Sequence, residues 1–398
     1  MMFRLVVFAL VLTALPSPVL RHRRLRMRAR DIAFGTLAVA MVLAAVPLDG
    51  QAQSEASRVI SAQLATPMKG FVQPRTEWGD PDISGVWTSD AALGIPRERP
   101  AKFGNRAMLN DAEYAEAQKA DADRVSNSVN ATGAFRNDGG WKNKSYRQTS
   151  LVIEPENGQT PAFTADALKR AAPRDRGSFG EGPFNSPQDF TLYDRCITRG
   201  IVGSVMPVVY GNGNRVVQAP GQVIISYEMV HDTRTIYTDG RPHLSPGVRQ
   251  HLGDSRGHWE GNTLVIETGN FTDQTSIGGG NGNGLRHSTG LKITERITRV
   301  DKDELRYEVR VDDPKTYAAP FTISLPLTSP PGYDLLPYEC HEGNYGLPSA
   351  LSAERQEDAA IEDDRLKGIV RKRKNIQQNL DAGARPIPGR ANPNDVEQ

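Results

Sequence analysis

The chain has 398 residues, with 48 Lys and Arg against 47 Asp and Glu, for a formal net charge of +1. Charges of both signs are interspersed, so the sequence offers no basic face for nucleic acid and no electrostatic case for an acidic partner. With only two cysteines there is no paired-Cys spacing for a structural zinc site.

Two apolar runs open the chain, Leu5 to Leu20 and Ile32 to Leu48, on either side of the basic "RHRRLRMRAR". Neither reaches a comfortable membrane span. The second run, preceded by Arg28 and Arg30 and followed by Gly50-Gln51-Ala52, has the plan of a secretory signal cleaved near Gln53, with Met27 as an alternative start. Residues 1–52 are therefore read as an export segment, leaving no stable membrane span. The competing reading is a membrane hairpin with a basic cytoplasmic loop. A periplasmic or secreted location follows from the first.

Residues 53–204 are rich in Pro, Gly and polar residues and predict an irregular wrap with short helices. Asn110 and Glu113 have capping-box spacing ahead of "AEYAEAQKADADRV", and Thr164 caps "ADALKRAA". A first strand is expected near residues 82–88, in "PDISGVW".

From 205 to 347 the pattern becomes short strands at close intervals, which predicts an antiparallel β core, a barrel or a sandwich. The expected strands are "RVVQA", "QVIISYEM", "TRTIYT", "NTLVIET", "LKITERITRV", "ELRYEVRV", "FTISLPL" and "LPYECH". Leu305, Tyr307, Val309 and Val311 alternate with charged residues, and Phe321, Ile323, Leu325 and Leu327 repeat that period. Thr275 to Gly290 is glycine-rich but matches neither a dinucleotide fingerprint nor a P-loop, and predicts a mobile flap. Residues 348–398 predict a mixed-charge helix over 350–381 and a disordered tail.

Gly253-Asp254-Ser255-Arg256-Gly257 fits the G-x-S-x-G pattern of a serine-hydrolase elbow. That motif requires a strand, a sharp turn and a helix. Here Gly261-Asn262 and a β-branched run follow instead, which predicts a hairpin and argues against Ser255 as a nucleophile. Cys196 and Cys340 are expected to pair, since a lone pair in an exported chain is most simply one disulfide; two free core thiols are the alternative.

Polar chemistry concentrates in one segment, where His231, His243, His251 and His258 accompany Asp232, Arg234, Asp254, Arg256 and Glu260. A histidine beside an aspartate supplies a group tunable toward neutral pH. The candidate catalytic residues are His231, Asp232, His243, Glu295 and His341. The candidate ligand-binding residues are Arg234, Asp254, Arg256, His258 and Glu342. Glu295 stands out because it shares a strand face with Leu291, Ile293 and Ile297, so it points inward. A buried carboxylate must be paired or protonated, and Arg234, on the same face as Ile236, is its expected partner. A zinc site from His231, His243 and His341 is the minority reading, because no H-E-x-x-H or H-x-H spacing is present. No cofactor is expected.

The tripeptide Gly85-Val86-Trp87 resembles the opening fingerprint of lipocalins and other calycins, in which the Trp closes the barrel floor, although the long stretch from Trp87 to Arg215 departs from that compact pattern. More widely, "PDISGVW", "RCITRG", "EMVHDTRTIYTDGRPH", "GDSRGHWEGNTLVIETGNFTD", "ERITRVDKDELRYEVRVDDP" and "YECHEGNYG" together resemble an uncharacterised family of exported bacterial proteins. The first resemblance implies a calycin-like barrel; the second brings no activity with it and implies that Gly253-Asp254-Ser255-Arg256-Gly257 belongs to a hairpin motif of that family. The functional expectation is binding of a small organic molecule with metal-independent acid–base turnover of lyase, isomerase or hydrolase type. A non-catalytic carrier or cell-envelope interaction protein is the alternative.

Overall fold

The structure, a computed structural model, describes residues 54–129, 141–170, 184–208, 210–277 and 286–371. The residues read as an export segment, the centre of the glycine-rich loop and the C-terminal tail lie outside these residues.

The fold is mainly β. Ten strands form one sheet: β1 (Gly85–Thr88), β2 (Val152–Glu154), β3 (Gly213–Ala219), β4 (Gln222–Tyr227), β5 (Thr233–Tyr237), β6 (Asp254–Glu260), β7 (Thr263–Gly269), β8 (Lys292–Asp301), β9 (Glu304–Asp312) and β10 (Phe321–Thr328). β1 and β3 to β10 follow one another around a closed nine-stranded barrel, which the Thr88↔Thr328 pair seals between β1 and β10. β2 pairs with the opposite end of β10, at Thr322 and Ile323. The pairings are antiparallel except at β5–β6, which are parallel and joined through Tyr237↔Arg256.

Strand period explains which side chains fill the barrel. The register Ile293↔Val311, Glu295↔Val309 and Ile297↔Tyr307 carries on to Phe321, Ile323 and Leu325 of β10, so one face of each strand points inward. With Trp87, Val223, Ile225, Ile236, Leu264 and Ile266 the apolar members of this register are buried in one continuous core. Burying each large aliphatic or aromatic side chain contributes roughly 1.5–3 kcal/mol. The lumen is thereby packed with side chains, as expected for a barrel of this size. Trp87 donates its indole N–H to the Ile83 carbonyl at 3.0 Å, and the Arg299 guanidinium lies 5.3 Å from its ring centroid.

The N-terminal half wraps this barrel through polar ties. Helix α1 (Glu55–Leu64), capped by Ser54, sends the Ser57 hydroxyl to the Ile153 carbonyl and the Ser61 hydroxyl to Glu308. Lys144 pairs with Asp303 at 2.8 Å and Glu304 at 3.1 Å, fastening the wrap to the β8–β9 turn. Helix α2 (Asp111–Val129) begins with the expected capping box: Asn110 Oδ1 accepts from the Glu113 N–H, and Glu113 Oε2 from the Asn110 N–H, both at 2.9 Å. The Thr164 hydroxyl accepts from the Ala167 N–H at the start of α3 (Ala165–Arg170). The short buried α4 (Gly200–Val205) leads into the barrel.

Three elements differ from expectation. Asp254–Glu260 is a strand of its own, β6, rather than only the lead-in to a turn. Leu336–His341 is not a strand: Pro337 lies within it, the Tyr338 carbonyl is taken by His231, and Cys340 is tied to Cys196. The barrel is closed by β1 instead, so His341 and Glu342 do not approach it on a closing strand. Helix α5 (Gly346–Leu366) starts before Ala350 and ends at Leu366, where the Gly368 and Ile369 N–H groups cap the Arg365 and Asp364 carbonyls.

Cys196 and Cys340 form a disulfide with their Cα atoms 5.6 Å apart. It joins the segment before α4 to the loop before α5.

Candidate functional site

The single parallel pair between β5 and β6 leaves these strands apart at one end, and the loop 238–253 crosses between them. The result is a groove of about 730 Å³ lined by Thr198, Asp232, Arg234, Tyr237, Arg249, His251, Asp254, Ser255 and Arg256, among others. Concave sites with a few convergent polar groups are where ligands bind.

At one side of the groove Asp232 is half-buried beside the mouth of β5. Burial pushes its carboxyl above the ordinary range, against the opposing pull of the Thr198 hydroxyl, the Thr233 N–H, His251 and Arg234. His251 moves the other way: burial lowers it, and Arg195 adds to this while Asp232 resists. The two groups thus interact electrostatically, a carboxyl tuned up beside an imidazole tuned down. Thr272 Oγ1 lies 3.1 Å from His251 Nδ1, which leaves Nε2 as the ring's other proton position. Arg249 donates to the Phe271 and Thr289 carbonyls at 3.1 and 2.8 Å and has no carboxylate partner among the described residues.

At the other side Asp254 is buried and shared. Its Oδ2 lies 2.9 Å from His243 Nδ1 and accepts from the Leu244 N–H, while Oδ1 accepts from Arg256 at 2.6 Å. Burial opposes ionisation here, but the Leu244 N–H, His243 and Arg256 outweigh it and lower the Asp254 pKa. Arg256 also donates to the Pro242 carbonyl, so this group fixes the crossing loop onto β6.

The floor reaches Arg234 and, behind it, Glu295. Arg234 donates Nη2 to Oε1 at 2.5 Å and Nη1 to Oε2 at 2.7 Å, its Nε donates to the Tyr227 hydroxyl, and the Tyr307 hydroxyl donates to Oε1 at 2.7 Å. Burial works against the Arg234 charge, yet Glu295 and the two phenols raise its pKa above the usual arginine value. Glu295 is inward and paired with Arg234, as its position on β8 suggests; it is fully buried and does not line the groove.

Ser255 has no elbow geometry. It lies within β6, its Oγ 2.9 Å from Thr268 Oγ1 and 3.4 Å from Arg234 Nη1, with no histidine partner among the described residues. The preceding Gly253 adopts φ +66°, and a Cβ there would come 2.5 Å from the Gly269 carbonyl, so the glycine serves the tight entry into the strand.

Four of the expected residues, Asp232, Arg234, Asp254 and Arg256, line this one groove. His243 joins them through Asp254 at the rim. His231 is exposed, with Nδ1 2.7 Å from the Tyr338 carbonyl, and His258 is exposed beside Glu260 on the outside of β6. His341 and Glu342 are exposed in the loop before α5, and Glu342 borders a different cavity. His231, His243 and His341 therefore do not share one site, and among the described residues no group of three His, Cys, Asp or Glu is arranged to hold a metal ion. Sequence reasoning assigned no role to His251 although it belongs to the histidine-rich segment, and it missed Arg249, Thr198 and Thr272. The run "RQHLGD" just ahead of β6 was the available signal.

Comparison with family models, curated proteins and solved structures finds no match. No helix among the described residues is long and apolar enough to cross a membrane.

Proposed function

We propose that this is an exported small-molecule-binding barrel whose β5–β6 groove takes a polar organic ligand and moves a proton on it, with His251 as the base and Asp232 as the carboxylate that stabilises its protonated form. The observation that carries this reading is that Asp232, Arg249 and His251 line one groove, where burial raises the carboxyl and lowers the imidazole. The filled lumen favours a ligand held at this mouth over one enclosed in the barrel. Export is supported by the apolar run ahead of Gly50-Gln51-Ala52 and by the disulfide.

In this mechanism His251 is neutral at pH 7, because its pKa lies below the ordinary 6.5. Thr272 holds Nδ1, so Nε2 accepts the substrate proton. The imidazolium formed is stabilised by the neighbouring Asp232 carboxylate. Arg249 offers charge-assisted hydrogen bonds to a carbonyl or carboxylate oxygen of the ligand. Such proton transfer contributes on the order of 10²–10⁴ in rate and suits a lyase, isomerase or hydrolase reaction without a metal.

A non-catalytic carrier or envelope-interaction protein is the second reading. It is favoured by the internal pairing of His243, Asp254 and Arg256, which leaves these groups satisfied without a ligand. Thermal-shift screening of the chain from Gln53 onward against a metabolite library identifies ligands. Turnover lost in Asp232→Asn and His251→Gln with binding retained supports the enzyme. Binding with no turnover by the wild-type chain supports the carrier. Ligand binding and turnover unchanged in both variants would remove the groove from consideration.

A further inference from the structure

A second cavity, of about 790 Å³, lies against the disulfide, between the segment 190–196 and the start of α5. Its aromatic and apolar walls come from Phe190, Tyr193, Pro337, Tyr338 and Leu347, with the Cys196–Cys340 bridge among them. The Phe190 ring is itself held in place by stacking on Phe184 at 4.5 Å between centroids. Asn344 fastens the far wall by donating to the Asp194 carbonyl at 3.0 Å.

Among the described residues, the charged side chains lining this cavity are all acidic: Asp194, Glu339 and Glu342. The Asp194 carboxylate is engaged by Thr191, whose hydroxyl donates to it at 2.7 Å. Glu339 and Glu342 are different, because both are exposed and neither makes a hydrogen bond or ion pair with a described residue. Arg199, which lies 5.5 Å from the Tyr193 ring centroid, lines the neighbouring cavity instead.

Aromatic faces attract cations through the ring quadrupole, and two unpaired carboxylates at the rim add a field of the same preference. An anion would be repelled by the acidic rim, and a neutral apolar ligand would gain nothing from it. We propose that this cavity is a second binding site, separate from the β5–β6 groove, for a small organic cation with an apolar or aromatic body, such as a quaternary ammonium or an aromatic amine.

The test is isothermal titration of the oxidised protein with benzyltrimethylammonium, its neutral tert-butyl isostere and benzoate. The cation is expected to bind at least tenfold more tightly than the isostere, to weaken as salt is raised, and benzoate not to bind. The double variant Glu339→Gln/Glu342→Gln, changed only at exposed positions, should lose at least fivefold in affinity with an unchanged melting temperature. Leu347→Trp, which fills the cavity, should abolish binding. Equal affinity for cation and isostere, no binding of the cation at millimolar concentration, or full affinity in both the double variant and Leu347→Trp would each overturn the proposal.

Discussion

Arg234 on β5 and Glu295 on β8 face each other inside the barrel in a two-point contact of 2.5 and 2.7 Å, on strands separated in the sheet by β6 and β7. A pair of this kind fixes relative strand position, since each charge is tolerable in the core only opposite the other. Glu295→Gln strands the guanidinium and is expected to cost about 3–5 kcal/mol, measured as a shift of the urea midpoint. Replacing both residues by hydrophobic ones of similar volume should cost less than the single change. A Glu295→Gln protein as stable as wild type would show that the pair does not anchor the core.

Burial opposes the charge of Asp232. Its folded pKa is raised above the unfolded value, so its protonation favours the folded state at low pH and its ionisation detracts from stability once pH passes the folded pKa. Asp232→Asn should therefore melt higher than wild type at pH 7 while any turnover falls on the order of 10²–10⁴. A lower melting temperature would mean that the Thr198 and Thr233 hydrogen bonds outweigh burial.

The acid limb of stability should belong to histidines. His287 is almost fully buried between Thr275 and the Ser288 carbonyl, and burial lowers its pKa; His251 shifts the same way for the same reason. Both bind protons more readily when unfolded, so their contribution is complete above the ordinary 6.5 and is lost as pH falls through their folded values. The denaturation midpoint is expected to fall from pH 7 downward before the carboxylates titrate. His287→Gln should flatten that slope.

Reduction of Cys196–Cys340 releases a loop with a sequence separation of 144. The expected loss is about 2–5 kcal/mol, read from urea unfolding with and without reductant. Treatment with a chelator should leave both the melting temperature and any groove ligand's affinity unchanged. A loss of either would require the groove's histidine and carboxylates to be reread as ligands.

Much of the barrel was legible because β8, β9 and β10 alternate cleanly, and the same alternation turned Glu295 inward and pointed to Arg234. β6 was obscured for a local reason. Its outward residues Asp254, Arg256, His258 and Glu260 are all charged or ionisable, and inward Gly257 replaces an apolar residue because a Cβ there would meet Ile236 Cγ2 at 2.8 Å. Leu336–His341 read as a strand from its apolar and aromatic residues, but a disulfide and Pro337 serve a loop there. The groove residues were harder to sort. Histidines near one another in sequence diverge when strands and loops point them to different faces, and only the parallel offset of β5 and β6 selects His251 over His231 and His258.

Closure by Thr88 and Thr328 means that the barrel's first and last strands are neighbours. A chain emerging from its N-terminus holds β1 in hand long before β10 exists, so β1 and β3 can pair early while the ring stays open. Until Phe321–Thr328 arrives, β9 and β1 present bare edges able to recruit other chains. Truncation upstream of Phe321 should thus yield aggregates rather than a smaller soluble barrel, and the whole ring becomes a single kinetic event with a late trigger.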